Sequence, residues 1–234
     1  MIGNEVITMN IGMIVAIPEE IDALFRTIGK PTGTEEAPGY RIDCYELNGH
    51  KVFVAGSGAG EIAAASTTQY LITKYGAELI VNFGVCGGLT DDMGLQRTVV
   101  VEKAVHYDFD ASRYDNSMPG QYLGFPDVYI PASRELVELA LQTEPTLIPA
   151  ICASADKFVA DADAKRDLNI RYGAHICEME AAGILLTANR NAVPALLIKG
   201  VSDSVTGGAE EFLEMVHASA EVCVNVLIRI LQTI

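Results

Sequence analysis

Short, nearly continuous apolar runs alternate along this chain with segments of helical period, and this alternation restricts the fold more than any other feature. Residues 10–17 (NIGMIVAI) read as a strand buried on both faces. Pro18 then opens a helix, where its fixed φ and missing N–H cost least. Ile21, Leu24, Phe25 and Ile28 follow on one face. Residues 41–46 and 51–55 flank Asn48-Gly49, a hairpin turn signal. A helix is expected over 61–75, then a buried strand over 78–83 ending in a Gly-rich turn. Strands are expected over 97–104, 147–153 and 194–201, and helices over 133–143 and 210–233. Ala181, Ile184, Leu185 and Ala188 mark a further helix, and Phe212 heads the inward face of the last one. Residues 106–131 have no clear period and read as a long loop. Such alternation implies an α/β fold, a single-domain three-layer α/β/α arrangement with a mixed central sheet over residues 9–234. Residues 1–8 read as an N-terminal extension.

Composition removes several function classes. The 234 residues are 50% hydrophobic, too apolar for a disordered chain. Sixteen Lys and Arg stand against 31 Asp and Glu, a net charge of -15. That balance argues against nucleic acid and against anionic membranes as partners, since both are held by cationic side chains. The five cysteines are widely spaced and the four histidines are scattered, so no metal or cofactor is implied. Residues 1–25 hold no Lys or Arg, and no apolar stretch reaches the length of a membrane span. A soluble, cytoplasmic protein is the expectation.

In a sheet of this kind ligands lie beyond the carboxyl ends of the strands. Gly56-Ser57-Gly58-Ala59-Gly60 and Gly84-Val85-Cys86-Gly87-Gly88 fall there. The first is a poor dinucleotide fingerprint, because its third glycine comes one place early. It suits a tight turn or backbone N–H groups lining a small-molecule pocket. Three glycines in five residues in the second suggest a ligand lying against the main chain. Acids stand at the same ends: Glu19-Glu20, Glu178-Met179-Glu180 and Ser202-Asp203. Helix dipoles and caps attract acids to such places. Yet Glu20, Glu180 and Asp203 come from three separate strand ends. Together they offer a group to activate water, one to hold sugar hydroxyls and one to protonate a leaving group, the needs of glycosidic bond cleavage. In the 178–180 segment one acid is expected to face the cleft and the other solvent.

IGMIVAIPEEIDAL, NFGVCGGL, ASADKFV, CEMEAAG and GVSDS occur in this order. The ordered set resembles the 5′-methylthioadenosine/S-adenosylhomocysteine nucleosidases of the nucleoside phosphorylase superfamily, over about residues 9–230. The resemblance implies a nucleoside phosphorylase-like fold, no cofactor, a small-molecule purine nucleoside as substrate and a homodimer. It also implies roles. Glu20 activates the attacking water, and Asp203, beside Ser202, delivers the proton to purine N7. Phe158 stacks on adenine and the Val159 backbone reads its edge. Met179 packs under the ribose and Glu180 binds its hydroxyls. Lys199 falls where a basic residue, usually Arg, lies near the water. The chain departs from the family at Pro18, which replaces a more usual acid, and at Val85, which replaces a Ser near the sugar. His106-Tyr107-Asp108 resembles a family loop in shuffled order, with no transferable role.

The expected reaction is hydrolysis of 5′-modified adenine nucleosides in methionine salvage. Phosphorolysis needs cations around a phosphate dianion, whereas Pro18-Glu19-Glu20 and Phe83 occupy the expected positions. Futalosine-type nucleosides are an alternative substrate. A non-enzymatic sensor would keep Phe158 and Glu180 without needing both Glu20 and Asp203.

Overall fold

The computed structural model describes residues 8–234, so the extension expected at residues 1–8 lies, but for Thr8, outside the described residues. Among the described residues there are ten strands and seven helices, for the most part interleaved. The first half runs β1 (Asn10–Val15), α1 (Pro18–Ile28), β2 (Gly33–Ala37), β3 (Tyr40–Leu47), β4 (His50–Gly56), α2 (Glu61–Tyr75), β5 (Leu79–Gly88) and β6 (Thr98–His106). The second runs α3 (Ser112–Asp115), β7 (Ile130–Pro131), α4 (Arg134–Thr143), β8 (Ile148–Ser154), α5 (Ala162–Tyr172), β9 (Ile176–Glu178), α6 (Ala181–Arg190), β10 (Ala195–Asp203) and α7 (Ala209–Leu231).

All ten strands join one mixed sheet. Its order is β10-β6-β8-β9-β5-β1-β4-β3-β2, with β7 beside β6. Because β10 pairs with both β6 and β5, five of the strands close into a ring. Period-2 alternation divides the buried residues between two cores. Met13, Val15, Val81 and Phe83 meet Leu24 of α1, Val137 of α4 and Leu227 of α7 on one face. Ile14 and Ile80 meet Leu71 of α2 and Leu185 of α6 on the other. Helices thus cover both faces, as the alternation requires. No helix among the described residues is long and apolar enough to cross a membrane.

The hairpin forms where expected, with Asn48 and Gly49 at φ 50° and 83°, the left-handed pair of a two-residue turn. Three expectations need correction. The glycine run 84–88 is not a turn: β5 continues through it to Gly88. The long loop over 106–131 contains a one-turn helix, α3, and ends in β7. The polar helix α5 and the exposed edge strand β2 were not anticipated, since neither carries a clear apolar period.

Candidate active site

The carboxyl ends of β1, β5, β9 and β10 open on one cavity of about 220 Å³. Glu20, Met179, Glu180, Asp203, Phe158 and Phe212 are among its walls. Glu20 reaches it because Pro18 starts α1 directly after β1, which turns the third helical residue back over the strand end. Its carboxylate accepts three backbone N–H groups: Ala16 at 3.0 Å, Ile17 at 3.2 Å and Val85 at 2.9 Å. Burial raises its pKa, while Lys199 and those N–H groups pull it back. A carboxylate held in this way is more basic than one in water, as a base that polarises water should be.

The glycines of β5 make room for these acids. A Cβ on Gly84 would collide with the Glu20 carboxylate, and one on Gly87 would stand 2.9 Å from Asp203 Oδ2. The close approach expected of this run is therefore made by the protein's own carboxylates. Val85, between them, lines the cavity with its side chain and holds Glu20 with its N–H.

Glu178 overturns the expectation that one acid of its segment faces solvent. Both Glu178 and Glu180 are buried. Glu178 Oε2 receives Lys199 Nζ at 2.8 Å, and its carboxylate also takes the Ala181 N–H and the Ser154 hydroxyl, the latter at 2.6 Å. Burial works to raise the Glu178 pKa, but Lys199 and these donors outweigh it and the net shift is downward. Glu180 accepts the Gly60 N–H at 3.0 Å through Oε1, which leaves Oε2 available. Burial first, and then the charge of Glu178, push Glu180 up to about 7.

Lys199 was expected beside the nucleophilic water. It lies instead beneath the cavity, fully enclosed and paired with Glu178. Burial lowers its pKa, but Glu178, Glu180 and Glu20 together more than reverse this. Its charge is thus committed to the buried carboxylates.

Sequence reasoning missed Glu61 and Lys165. Glu61, at the start of α2, contacts the Ser154 hydroxyl through Oε1 and accepts the Gly183 N–H through Oε2. Ser154 Oγ accepts the Ala182 N–H and has one proton to donate, yet two carboxylates touch it. One of them must be protonated. Glu61 is that one, pushed up to about 9 by burial and then by the charge of Glu178. Lys165, on α5, places Nζ 2.5 Å from Asp203 Oδ2, and neither side chain reaches solvent. Asp203 Oδ1 accepts the Ser202 hydroxyl at 2.9 Å. The signal for both missed residues lay in glycine: the space a Cβ would fill at Gly183 holds Glu61, and at Gly87 it borders Lys165.

Phe158, half exposed at the rim, meets Phe212 edge-on at 5.3 Å between ring centroids. Phe212 was expected in the α7 core and instead forms part of the cavity mouth. Val159 is buried beside Phe158, where Gly87, Met179 and Asp203 line a smaller recess continuous with these walls. His106 stays outside both cavities, bound to Tyr122 at 2.7 Å and to Asp108 at 2.9 Å.

A set of acids and aromatics therefore stands in one cleft. The model of the phosphorylase superfamily matches residues 10–234. The 5′-methylthioadenosine/S-adenosylhomocysteine nucleosidase of Shewanella pealeana is 30% identical over 202 residues, 84% of this chain and 86% of that protein.

The chain belongs to this nucleosidase family of the phosphorylase superfamily.

As a member of the nucleosidase family it is an N-glycosyl hydrolase. The aminodeoxyfutalosine nucleosidase of Campylobacter jejuni is also similar, 27% identical over 94% of this chain and 97% of its own. Among solved folds, the Helicobacter pylori methylthioadenosine/S-adenosylhomocysteine nucleosidase in complex with a pyrrolidine inhibitor superposes with a TM-score of 0.91. It is 23% identical and covers 97% of this chain and 99% of its own. The native futalosine hydrolase of the same organism gives 0.90 at 23% identity, over the same shares of the two chains. The nucleosidase fold is thus common to chains named for different 5′ groups.

Proposed function

We propose that this nucleosidase hydrolyses 5′-modified adenine nucleosides, methylthioadenosine and S-adenosylhomocysteine, to free adenine. Glu20 polarises the water, Glu180 accepts the ribose hydroxyls through its free oxygen, and Asp203 passes a proton to N7 of the base. Phe158 and the Val159 backbone receive adenine, with Met179 beneath the sugar. As the base leaves, positive charge grows on the ribosyl carbon, and the acids around it favour that charge. Protonation lets adenine depart as a neutral molecule.

The observation that carries the choice of water over phosphate is the cation inventory. Among the described residues no Lys or Arg lines the main cavity, Lys157 borders only the smaller recess, and the two lysines beneath are each bound to a carboxylate. A phosphate dianion would meet Glu20 and Glu180 with no uncommitted cation in the main cavity to bind it. Adenine release from methylthioadenosine in phosphate-free buffer tests the proposal. Release is expected at full rate without phosphate, and strict phosphate dependence would overturn it.

The Campylobacter relative supports a second reading, in which the 5′ group is the larger one of aminodeoxyfutalosine. Relative kcat/KM for the two nucleosides decides between them. Exposed Tyr114, Met118 and Leu123 on the segment between β6 and β7 favour a homodimer, which light scattering checks. Five free thiols fit a reducing, cytoplasmic compartment.

A further inference from the structure

Among the described residues two lysines are fully enclosed; Lys199 is shared by the acids of the cavity, whereas Lys165 is committed to the acid assigned to the leaving group. Its Nζ donates to Asp203 Oδ2 at 2.5 Å and to the Ser204 carbonyl at 2.6 Å. It comes from α5, an otherwise polar helix capped by Asp161, and so spends a surface helix's side chain on an interior contact. Burying a lysine needs a strong compensating partner. Here the partner is the carboxylate assigned to the leaving group.

The hydrogen bonds around Asp203 restrict where its proton can come from. On the Oδ1 side stands Ser202, whose hydroxyl also lies 3.2 Å from the Cys86 carbonyl. That chain ends on an acceptor with no proton to resupply the hydroxyl. On the Oδ2 side stands Lys165, whose other contact is again a carbonyl acceptor. Within the protein, the ammonium N–H is the proton that can reach Asp203.

Building on the proposed role of Asp203, we infer that Lys165 and Asp203 form a two-residue acid, in which Lys165 holds the proton that Asp203 passes to the departing base. The step balances as follows. The C–N bond breaks and its electron pair passes to the base. Asp203 Oδ2 takes a proton from Lys165, which becomes a neutral amine, and Asp203 passes that proton on to N7, which regenerates the carboxylate. Water supplies hydroxide to the ribosyl carbon and leaves its other proton on Glu20. Transfer of that proton to solvent, and uptake of one by Lys165 through Asp203, restores the starting state. Lys165 never touches the substrate and is in this sense a positioning residue.

Two substrates separate this role from a structural one. Methylthioadenosine needs its base protonated, whereas 4-nitrophenyl β-riboside expels a phenolate that needs no proton. Lys165→Met is expected to lower kcat on methylthioadenosine by about 100-fold, the scale of a lost general acid. On the nitrophenyl riboside the loss is expected to stay below about fivefold. Asp203→Asn should show the same pattern, and the double variant should be no slower on methylthioadenosine than Asp203→Asn alone, because the two residues act as a unit. Equal losses of Lys165→Met on both substrates, or a loss below about threefold on methylthioadenosine, would overturn the inference. If Lys165→Met fails to fold, the double variant, which buries no unpaired charge, decides: a further fall below Asp203→Asn counts against the two-residue acid. If Asp203→Asn itself shows no dependence on the leaving group, the reading of Asp203 fails rather than that of Lys165.

Discussion

The two buried lysines of this protein each meet a carboxylate at a strand end, yet their surroundings differ. Lys199 lies under the centre of the site, bonded to Glu178 and close enough to Glu180 and Glu20 to shift all three. Lys165 serves one carboxylate and one carbonyl. The first is a shared countercharge and the second a private partner. The comparison shows how a cavity can be walled by acids. One lysine offsets several carboxylates, and where its charge does not suffice, a carboxylate keeps its proton, as Glu61 does.

The largest test of this contrast is Lys199→Met. It leaves Glu178 buried with no cation, so a stability loss of about 3–5 kcal/mol is expected. For a chain this size that corresponds to a fall in Tm of roughly 6–20 °C, read by thermal melting. An unchanged Tm would mean that Lys199 is not the shared countercharge.

Glu180 comes next. With its pKa raised to about 7 it is half protonated at neutral pH, and only the ionised form accepts both ribose hydroxyls. The kcat/KM profile should therefore fall on the acid side with a midpoint near 7. Glu180→Gln should remove that limb and lower kcat/KM by about 10- to 100-fold, the value of a hydrogen bond to a charged group. A limb that survives the substitution belongs to another group, and Glu20 is the first to examine.

Glu61 gives, per pH unit, a smaller effect with a definite sign. Its pKa is raised in the fold, so its favourable contribution is complete below its unfolded value of 4.5 and is lost as pH rises towards 9. Gln at this position reproduces the protonated pattern, with an N–H to Ser154 and an oxygen for the Gly183 N–H. The stability of Glu61→Gln relative to the parent should thus rise by about 1 kcal/mol per pH unit across this window, measured by urea unfolding at several pH values. A pH-independent difference would show that Glu61 is ionised and that Ser154 is served otherwise. The smallest effect is expected from Val85→Ser. The N–H of Val85, not its side chain, holds Glu20, so kcat should change by no more than about threefold.

Much of the site was legible because its residues follow strand ends. Glu20, Glu180, Ser202 and Asp203 meet around one cavity, as their placement along the chain suggested, and Phe158, Val159 and Met179, which only the family resemblance singled out, join them there and in its recess. The hairpin and α2 were legible too, from turn chemistry and from an Ala-rich segment. What escaped was charge turned inward. Lys165 sits in ADAKRDLNIRY, whose polar run looks like a solvated surface, and nothing in its composition says that the lysine points to the core. The glycines of β5 misled for a related reason. Glycine marks a close approach without naming what approaches, and here it was the Glu20 and Asp203 carboxylates within a continuing strand.

The way Glu20 is held has a consequence for how this protein can change over generations. All three of its donors are main-chain N–H groups, at Ala16, Ile17 and Val85. Any residue but proline supplies the same group, so the side chains at these positions can change without disturbing how Glu20 is held. Gly84 has no such freedom, because a methyl group there would occupy the place of the carboxylate. The lining of the cavity and the hold on its buried acid are thereby mutable at separate positions along the chain.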